Sequence, residues 1–308
     1  MFGTPRARSD GRRHHGSCRV RASRRGPAGE GLSAASDTVA AVSLVITTVN
    51  VNGVRAAAGK GLLDWLATTS ADVVCLQEVR ASDDQLRRAI APALDAGWHV
   101  VGAESSAKGR AGVAIVSRVP ADAVRVGFGA EEFADAGRYL EADFGAVTVG
   151  SLYLPTGEAD TPKQDQKERF MKEFAAYLGE RAADVTAAGR DMVVCGDWNI
   201  AHTERDIKNW KGNVRKSGFL PGEREWVGAL LDTGRWRDVA REHHGDVAGP
   251  YSWWSYRGKA FDTDAGWRID YHLVTPALAE KVVEARVERA ATYAERWSDH
   301  APVTVRFR

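Results

Sequence analysis

From residue 43 onward the chain is cut into short β-branched runs, and most of them stop on a polar side chain. Residues 42–51, 72–76, 147–154 and 192–195 are apolar enough to be buried strands. Shorter strands are predicted at 99–101, 112–116, 124–128, 140–143, 269–274, 281–287 and 303–307. Few helical periods interrupt them. Leu62, Leu63, Trp65 and Leu66 fall at helical spacing. Ser82 with Gln85 three residues on has capping-box spacing, and Leu86, Ile90 and Leu94 form the stripe behind it. The clearest helix is 163–178, with Phe170, Phe174, Tyr177 and Leu178 on one face. Another is predicted at 223–231, with Trp226, Val227, Leu230 and Leu231 inward. So many strands with so few helices fit neither a barrel of eight β/α units nor a Rossmann sheet. The expected fold is an α/β four-layer α-β-β-α sandwich, two facing mixed sheets flanked by helices. No Pro/Gly linker breaks 43–308, which reads as a single domain. Glu78 and Asp197 both sit just past a buried strand, a hint of two similar halves.

Residues 1–42 have another texture: 8 Arg, no Lys, 3 acids and few large apolar residues. They read as a disordered Arg-rich extension. Three uses compete: a dispensable tail or misplaced start, a basic arm adding nucleic-acid affinity, and an organelle transit peptide. The rest of the chain carries a net charge of −4. If it binds nucleic acid, it must do so through a local patch or with metal ions over its carboxylates. No apolar run approaches the ~20 residues of a membrane helix. Cys18, Cys75 and Cys195 include no C-x-x-C pair, which excludes a disulfide scaffold and fits a reducing compartment. With 32 Arg to 10 Lys suggesting a GC-rich genome, the expectation is a cytoplasmic bacterial protein and a monomer.

The polar residues at the strand ends carry the chemistry. Asn50 and Asn52 close the first strand, Glu78 the second, Tyr153 the run 147–154, and Asp197 and Asn199 the strand before them. Asp270 lies inside an apolar strand, where a carboxylate must be paired. Asp299 and His300 precede the last strand. Any one alone would pass for a turn former, but strand ends of packed sheets converge on one rim. Carboxylates, amides, one His and one Tyr are all oxygen and nitrogen donors, which suit a hard cation such as Mg²⁺ or Mn²⁺. With a His and an acidic base they suit water-activating phosphoryl transfer. No activated Ser or Cys nucleophile stands out.

The ordered series NVNGVRA (50–56), LQE (76–78), LYLPTG (152–157), GDWNIAH (196–202), NWKGN (209–213), GFLPGERE (218–225), GWRIDY (266–271) and SDHAP (298–302) resembles the exodeoxyribonuclease III / apurinic-apyrimidinic endonuclease family. That family lies within the endonuclease–exonuclease–phosphatase superfamily. The likeness spans about residues 43–308. It implies Glu78 as principal metal ligand, with Asn52 and Asp299 lining the same region. It implies His300 on the scissile phosphate, oriented by Asp270. Asp197 would activate water or assist the leaving group, held by Asn50 and Asn199, and Tyr153 would touch the phosphate or its nucleophile. Position 52 is Asn where some relatives carry Asp, which weakens a second metal site. Position 156 is Thr where many relatives place an amide.

The resemblance also implies a substrate. Trp253, Trp267 and Ile269 would wall a pocket for an extruded sugar that has lost its base. Lys208, Lys211, Asn213, Arg215 and Lys216 would hold the DNA backbone, with Arg55, Arg257 and Lys259 as further rim cations. The implied activity is Mg²⁺-dependent cleavage of double-stranded DNA 5′ to abasic sites, with 3′–5′ exonuclease and 3′-end cleaning; Mn²⁺ would substitute. The runner-up is a superfamily phosphatase acting on an inositol phosphate or phospholipid. A catalytically dead DNA-binding protein is the rival from outside the enzymes. His14-His15 and His243-His244 read as surface histidines, and Cys75 and Cys195 as inert core residues.

Overall fold

The computed structural model describes Met1 and residues 43–308, so the readings placed on residues 2–42, Cys18 included, lie outside the described residues. Among the described residues twelve strands form two six-stranded sheets. The first sheet contains β1 (Leu44–Asn50), β2 (Val73–Gln77), β3 (His99–Ala103), β4 (Val113–Ser117), β11 (Val282–Val287) and β12 (Val303–Phe307), in the order β11-β12-β1-β2-β4-β3. The second contains β5 (Ala123–Val126), β6 (Tyr139–Phe144), β7 (Val147–Tyr153), β8 (Asp191–Asp197), β9 (Arg237–Asp238) and β10 (Asp270–Val274), in the order β5-β6-β7-β8-β10-β9.

Both sheets repeat one plan. A central parallel pair, β1/β2 or β7/β8, is flanked on each side by antiparallel neighbours. A parallel pair requires a crossover. In the first half α1 (Val54–Ala57), a π-helical turn (Ala58–Leu62) and α2 (Leu63–Thr68) provide it; in the second the long α5 (Pro162–Ala187) does. The hint of two similar halves thus corresponds to a repeated topology, with Gln77-Glu78 and Asp197 at equivalent strand ends.

Three apolar layers hold the sandwich. Ile46, Cys75, Ile115, Val149, Val193, Cys195 and Val305 pack between the sheets. Leu62, Leu66, Leu86 and Ile90 pack the helices of the first half onto β1, β2 and β4. Phe170, Phe174, Leu178, Val227 and Leu230 pack α5 and α6 (Pro221–Asp232) onto the second sheet. Cys75 and Cys195 are both fully buried.

Three expectations need correction. The Ser82 capping box is present, but α3 (Asp83–Ala89) ends early and α4 (Ala91–Asp95) starts anew, because Pro92 cannot continue the helix. The helix read at 163–178 runs on to Ala187, since Ala182 and Val185 extend its buried stripe. Asp270 opens its strand rather than lying inside it. Three short helices escaped the sequence reading: α1, α7 (Val239–His244) and α8 (Pro276–Ala279). None of the described helices is long and apolar enough to cross a membrane.

Candidate active site

The ends of the two parallel pairs meet at one rim. Asn50 is the last residue of β1 and Tyr153 the last of β7; their register partners are Gln77 and Asp197. Backbone shape is specified by residues that ordinary side chains could not replace. Gly196 has φ +148°, and a Cβ there would lie 2.0 Å from the Leu152 carbonyl oxygen. Only glycine lets β8 approach β7 this closely just before Asp197. Asn52, Glu78 and Asn199 all have φ near +50°, a region that non-glycine residues rarely occupy and that tends to be retained at functional sites.

Asn50 lies at the centre. Its fully buried amide donates to Glu78 Oε1 at 2.8 Å and to Asp197 Oδ2 at 2.9 Å. Its carbonyl oxygen Oδ1 accepts from the Asn52 backbone at 2.9 Å. The second half mirrors this. Asn199 donates from its backbone to Asp197 Oδ1 at 2.9 Å, and from its amide to Asp197 Oδ2 at 3.2 Å and the Leu154 carbonyl at 2.9 Å. Both oxygens of Asp197 are therefore held.

His300 sits between two buried carboxylates. Nδ1 is 2.9 Å from Asp270 Oδ2, and Nε2 is 3.7 Å from Asp197 Oδ2. Ser252 fixes Asp270 from behind, its hydroxyl 2.5 Å from Oδ2. Ser298 donates to the Asn50 carbonyl at 2.6 Å and accepts the His300 backbone N–H. Ser298 opens the SDHAP motif but was given no role there, and the only signal for Ser252 is its neighbour Trp253. Burial works against a charged imidazole, but Asp270 and Asp197 outweigh it and raise the His300 pKa to about 10. Burial raises Asp197 to about 7, against the pull of His300 and with the help of Asp270. Tyr153 is pushed well above its ordinary value by burial and by Glu78 and Asp197, so it stays protonated. Arg138 caps its ring at 4.9 Å.

Asp299 faces Asn52, which donates to Oδ1 at 2.9 Å, while Trp253 Nε1 donates to Oδ2 at 3.1 Å. Glu78 is partly exposed and ion-pairs with Arg80. Glu78, Asp299 and the Asn52 side-chain oxygen are hard donors at the mouth of the site. The Glu78 carboxylate is reached by a cationic group, the Arg80 guanidinium. This donor set fits a hard divalent cation. Asp197, Asp270 and His300 also lie close enough to one another to be metal ligands; both oxygens of Asp197 are held by Asn50 and Asn199, and Asp270 Oδ2 by Ser252 and His300, while Asp270 Oδ1 is buried without a hydrogen-bond partner.

A cavity of about 270 Å³ opens on these groups. Glu78, Asp197, Asp299 and His300 line it together with Trp253, Trp267 and Ile269, and Trp253 lies against Asp299 and His300. The two indoles meet edge to face at 5.9 Å. Gly218 (φ +92°) closes the wall: a Cβ there would lie 2.9 Å from the Trp267 ring. Trp254 is separate, buried in a cluster with Phe261 and Tyr251. The basic run 208–216 does not line this cavity. Lys208, Lys211, Arg215 and Lys216 are exposed, Asn213 donates to the Asn209 carbonyl at 2.8 Å, and the loop leads into the lining residues Ser217 and Gly218. Beside Glu78 lies a second recess of about 490 Å³ lined by Arg55, Arg80, Lys108 and Arg110. Of these only Arg55 is marked in the sequence reading; Arg80 follows β2, and Lys108 and Arg110 share the turn between β3 and β4.

A buried carboxylate–histidine–carboxylate row beside hard metal donors, at one rim of a four-layer sandwich, defines a hydrolase of phosphate esters. Residues 47–300 match the endonuclease/exonuclease/phosphatase family. The chain is 34% identical over 255 residues to an exodeoxyribonuclease of Bacillus subtilis, covering 82% of this chain and 95% of that protein. It is 32% identical over 265 residues to the DNA repair nuclease APEX1 of Danio rerio, covering 86% and 82%. Among solved structures, the 3′ phosphatase NExo from Neisseria, bound to a product DNA hairpin, superposes with a TM-score of 0.78 at 33% identity, covering 86% of this chain and 99% of that one. The chain belongs to this family, within its exodeoxyribonuclease III / apurinic-apyrimidinic endonuclease branch.

Proposed function

We propose that the protein is a divalent-metal-dependent DNA-repair nuclease that cleaves the phosphodiester 5′ to an abasic site and also trims or cleans 3′ ends. The observation that carries this reading is the junction of two surfaces in one small cavity. His300, standing between Asp270 and Asp197, lines it together with an apolar wall of two indoles and Ile269. The cavity, about 270 Å³, lies just below the ~300–1,000 Å³ of sites that take drug-sized ligands. That size suits a bare sugar better than a nucleotide. Extruding a sugar costs least where no base must be unstacked.

In this reading Asp197, aligned by Asn50 and Asn199, takes the proton of the attacking water. His300, kept cationic by Asp270, stabilises the negative charge that grows on the phosphate oxygens. Tyr153, kept protonated, donates a hydrogen bond to the phosphate. Glu78, with Asn52 and Asp299 beside it, holds Mg²⁺ or Mn²⁺, which when bound supplies Lewis-acid stabilisation of the same charge. Arg55, Arg80, Lys108 and Arg110 on one flank and the 208–216 loop on the other position the DNA backbone. The likeness to a 3′ phosphatase supports the end-cleaning part, because a terminal phosphate presents the same oxygens to the same row of groups. The apolar indole wall disfavours a polyhydroxylated inositol phosphate.

The test is a nicking assay on a duplex with one abasic site, with Mg²⁺ and with EDTA, alongside a duplex bearing a 3′-phosphate. Metal-dependent incision 5′ to the lesion is expected. Hydrolysis of inositol phosphates with intact abasic DNA would overturn the reading.

A further inference from the structure

We infer that Lys167 and Glu223, a buried ion pair behind the cavity, are positioning residues that set the wall of the active site. Lys167 is on α5, one turn before Phe170, so the helical stripe carries it inward. Both side chains are essentially inaccessible, and Lys167 Nζ lies 2.7 Å from Glu223 Oε1. A buried ion pair is weak evidence for stability, since desolvation offsets most of the attraction. Its further bonds show what it does.

Lys167 Nζ donates to the Asn199 carbonyl at 2.9 Å, to the Thr156 carbonyl at 3.4 Å and to Ser217 Oγ at 3.4 Å. Glu223 accepts from Ser217 Oγ at 3.0 Å and from the Gly218 and Leu220 backbone at 2.6 and 3.0 Å. Ser217 Oγ also lies 2.8 Å from the Thr156 carbonyl, so its single O–H is shared between Thr156 and Glu223. Three separate segments are thereby tied to one point: the turn after β7, the turn after β8 and the loop that leads into α6. Thr156, Asn199, Ser217 and Gly218, all cavity-lining residues, are in these segments. Gly218 abuts Trp267, and Asn199 holds both oxygens of Asp197. The pair therefore joins the group that would accept the proton to the wall that would exclude a base. A misplacement near 1 Å at such a point costs about 10²-fold in rate. Lys167 touches neither substrate nor reacting atoms, so its effect acts through these segments.

The inference rests on the cavity being the phosphodiester site. The experiment measures kcat, KM and melting temperature on an abasic duplex for wild type, Lys167→Met and Lys167→Met/Glu223→Gln, together with a crystal structure of the double variant. Lys167→Met strands a buried carboxylate and is expected to lose both stability and activity. The double variant removes both charges at nearly constant shape, so its melting temperature should return towards wild type. Its kcat should remain at least tenfold low with KM within about threefold, and Asn199 and Ser217 should be displaced. Recovery of kcat in step with melting temperature, or an unmoved Asn199 and Ser217, would overturn the inference. Should the double variant not fold, Ser217→Ala decides. A fall in kcat of threefold or more at unchanged melting temperature supports the inference, and an unchanged kcat defeats it. A wild type without incision strikes the proposed function instead, and the displacement seen in the crystal structure then still judges the pair.

Discussion

Asp270 is the direct cross-strand partner of Asp197, opposite it where antiparallel β10 begins beside β8. Like charges so placed repel, and both groups are buried. His300 resolves the conflict by lying between them, and each carboxylate in turn favours the imidazolium over the neutral ring. Asp197 and His300 thereby set a basic carboxylate and a persistent cation a few ångströms apart.

The first prediction follows from that arrangement. Asp197→Asn and His300→Ala should each lower turnover by about 10²–10⁴, the usual size for a general base or an electrostatic stabiliser. Asp197→Asn should still bind abasic DNA in a gel-shift titration. Near wild-type turnover in either variant would refute the assigned role.

The pH profile provides a second. Activity should rise as Asp197 loses its proton, with a midpoint at or below pH 7, because a metal at Glu78 lowers a value already near 7. Activity should fall when His300 loses its proton near pH 10. Asp270 is the largest favourable influence on the imidazolium, so Asp270→Asn should move the alkaline limb down by at least one pH unit. A kcat profile whose alkaline limb is unmoved in that variant would show that Asp270 does not hold the charge.

The sequence revealed the groups that lie at strand ends, because a polar residue closing a β-branched run has a position dictated by the strand itself. Asn50, Glu78 and Asp197 were legible for that reason, and His300 from its place just before the last strand. Lys167 was less so: its helix was plain, but a lysine on an amphipathic helix is usually solvated, and only its place one turn before Phe170 marks it as inward. Arg80 meets Lys108 and Arg110 from a separate turn, a juxtaposition that no spacing encodes. The basic run 208–216 was conspicuous in the sequence yet lies beside the cavity, not on it. Conversely, the break between α3 and α4 was readable in Pro92.

The metal prediction is simple in outcome. Incision should vanish in EDTA and return with Mg²⁺ or Mn²⁺, since Glu78, Asp299 and Asn52 are all hard donors. Glu78→Gln should raise the metal concentration needed for half-maximal activity without lowering the melting temperature of the metal-free protein. Full activity in EDTA would exclude the reading.

Acid stability tests the core. His272 is fully buried between the sheets, its Nε2 3.3 Å from the Ile46 carbonyl, and burial pushes its pKa down to about 3. The unfolded chain has a value near 6.5. Between these limits the unfolded state binds the extra proton, so His272 favours the fold above pH 6.5 and loses that contribution as pH falls towards 3. The slope is at most about 1.4 kcal/mol per pH unit. Denaturant midpoints at pH 7 and pH 4.5 should separate by less in His272→Gln than in wild type; equal separations would show that His272 does not contribute.

The last prediction concerns the indole wall. If Trp253, Trp267 and Ile269 enclose an extruded base-free sugar, Trp267→Ala enlarges the space available. Abasic incision should fall, and cutting of intact duplex should rise relative to it. Gly218→Ala acts in the opposite sense. Its Cβ would press on the Trp267 ring from 2.9 Å, and φ of +92° strains any side chain there. Incision should fall with no gain in cutting of intact DNA. Trp267 is only partly buried, so its loss should cost less than the ~3–5 kcal/mol typical of a large core aromatic. Melting temperatures and the abasic-to-intact rate ratio together decide between wall and core. A ratio unchanged in Trp267→Ala, with a stability loss in the full core range, would assign Trp267 to the core and leave the choice of substrate to other groups.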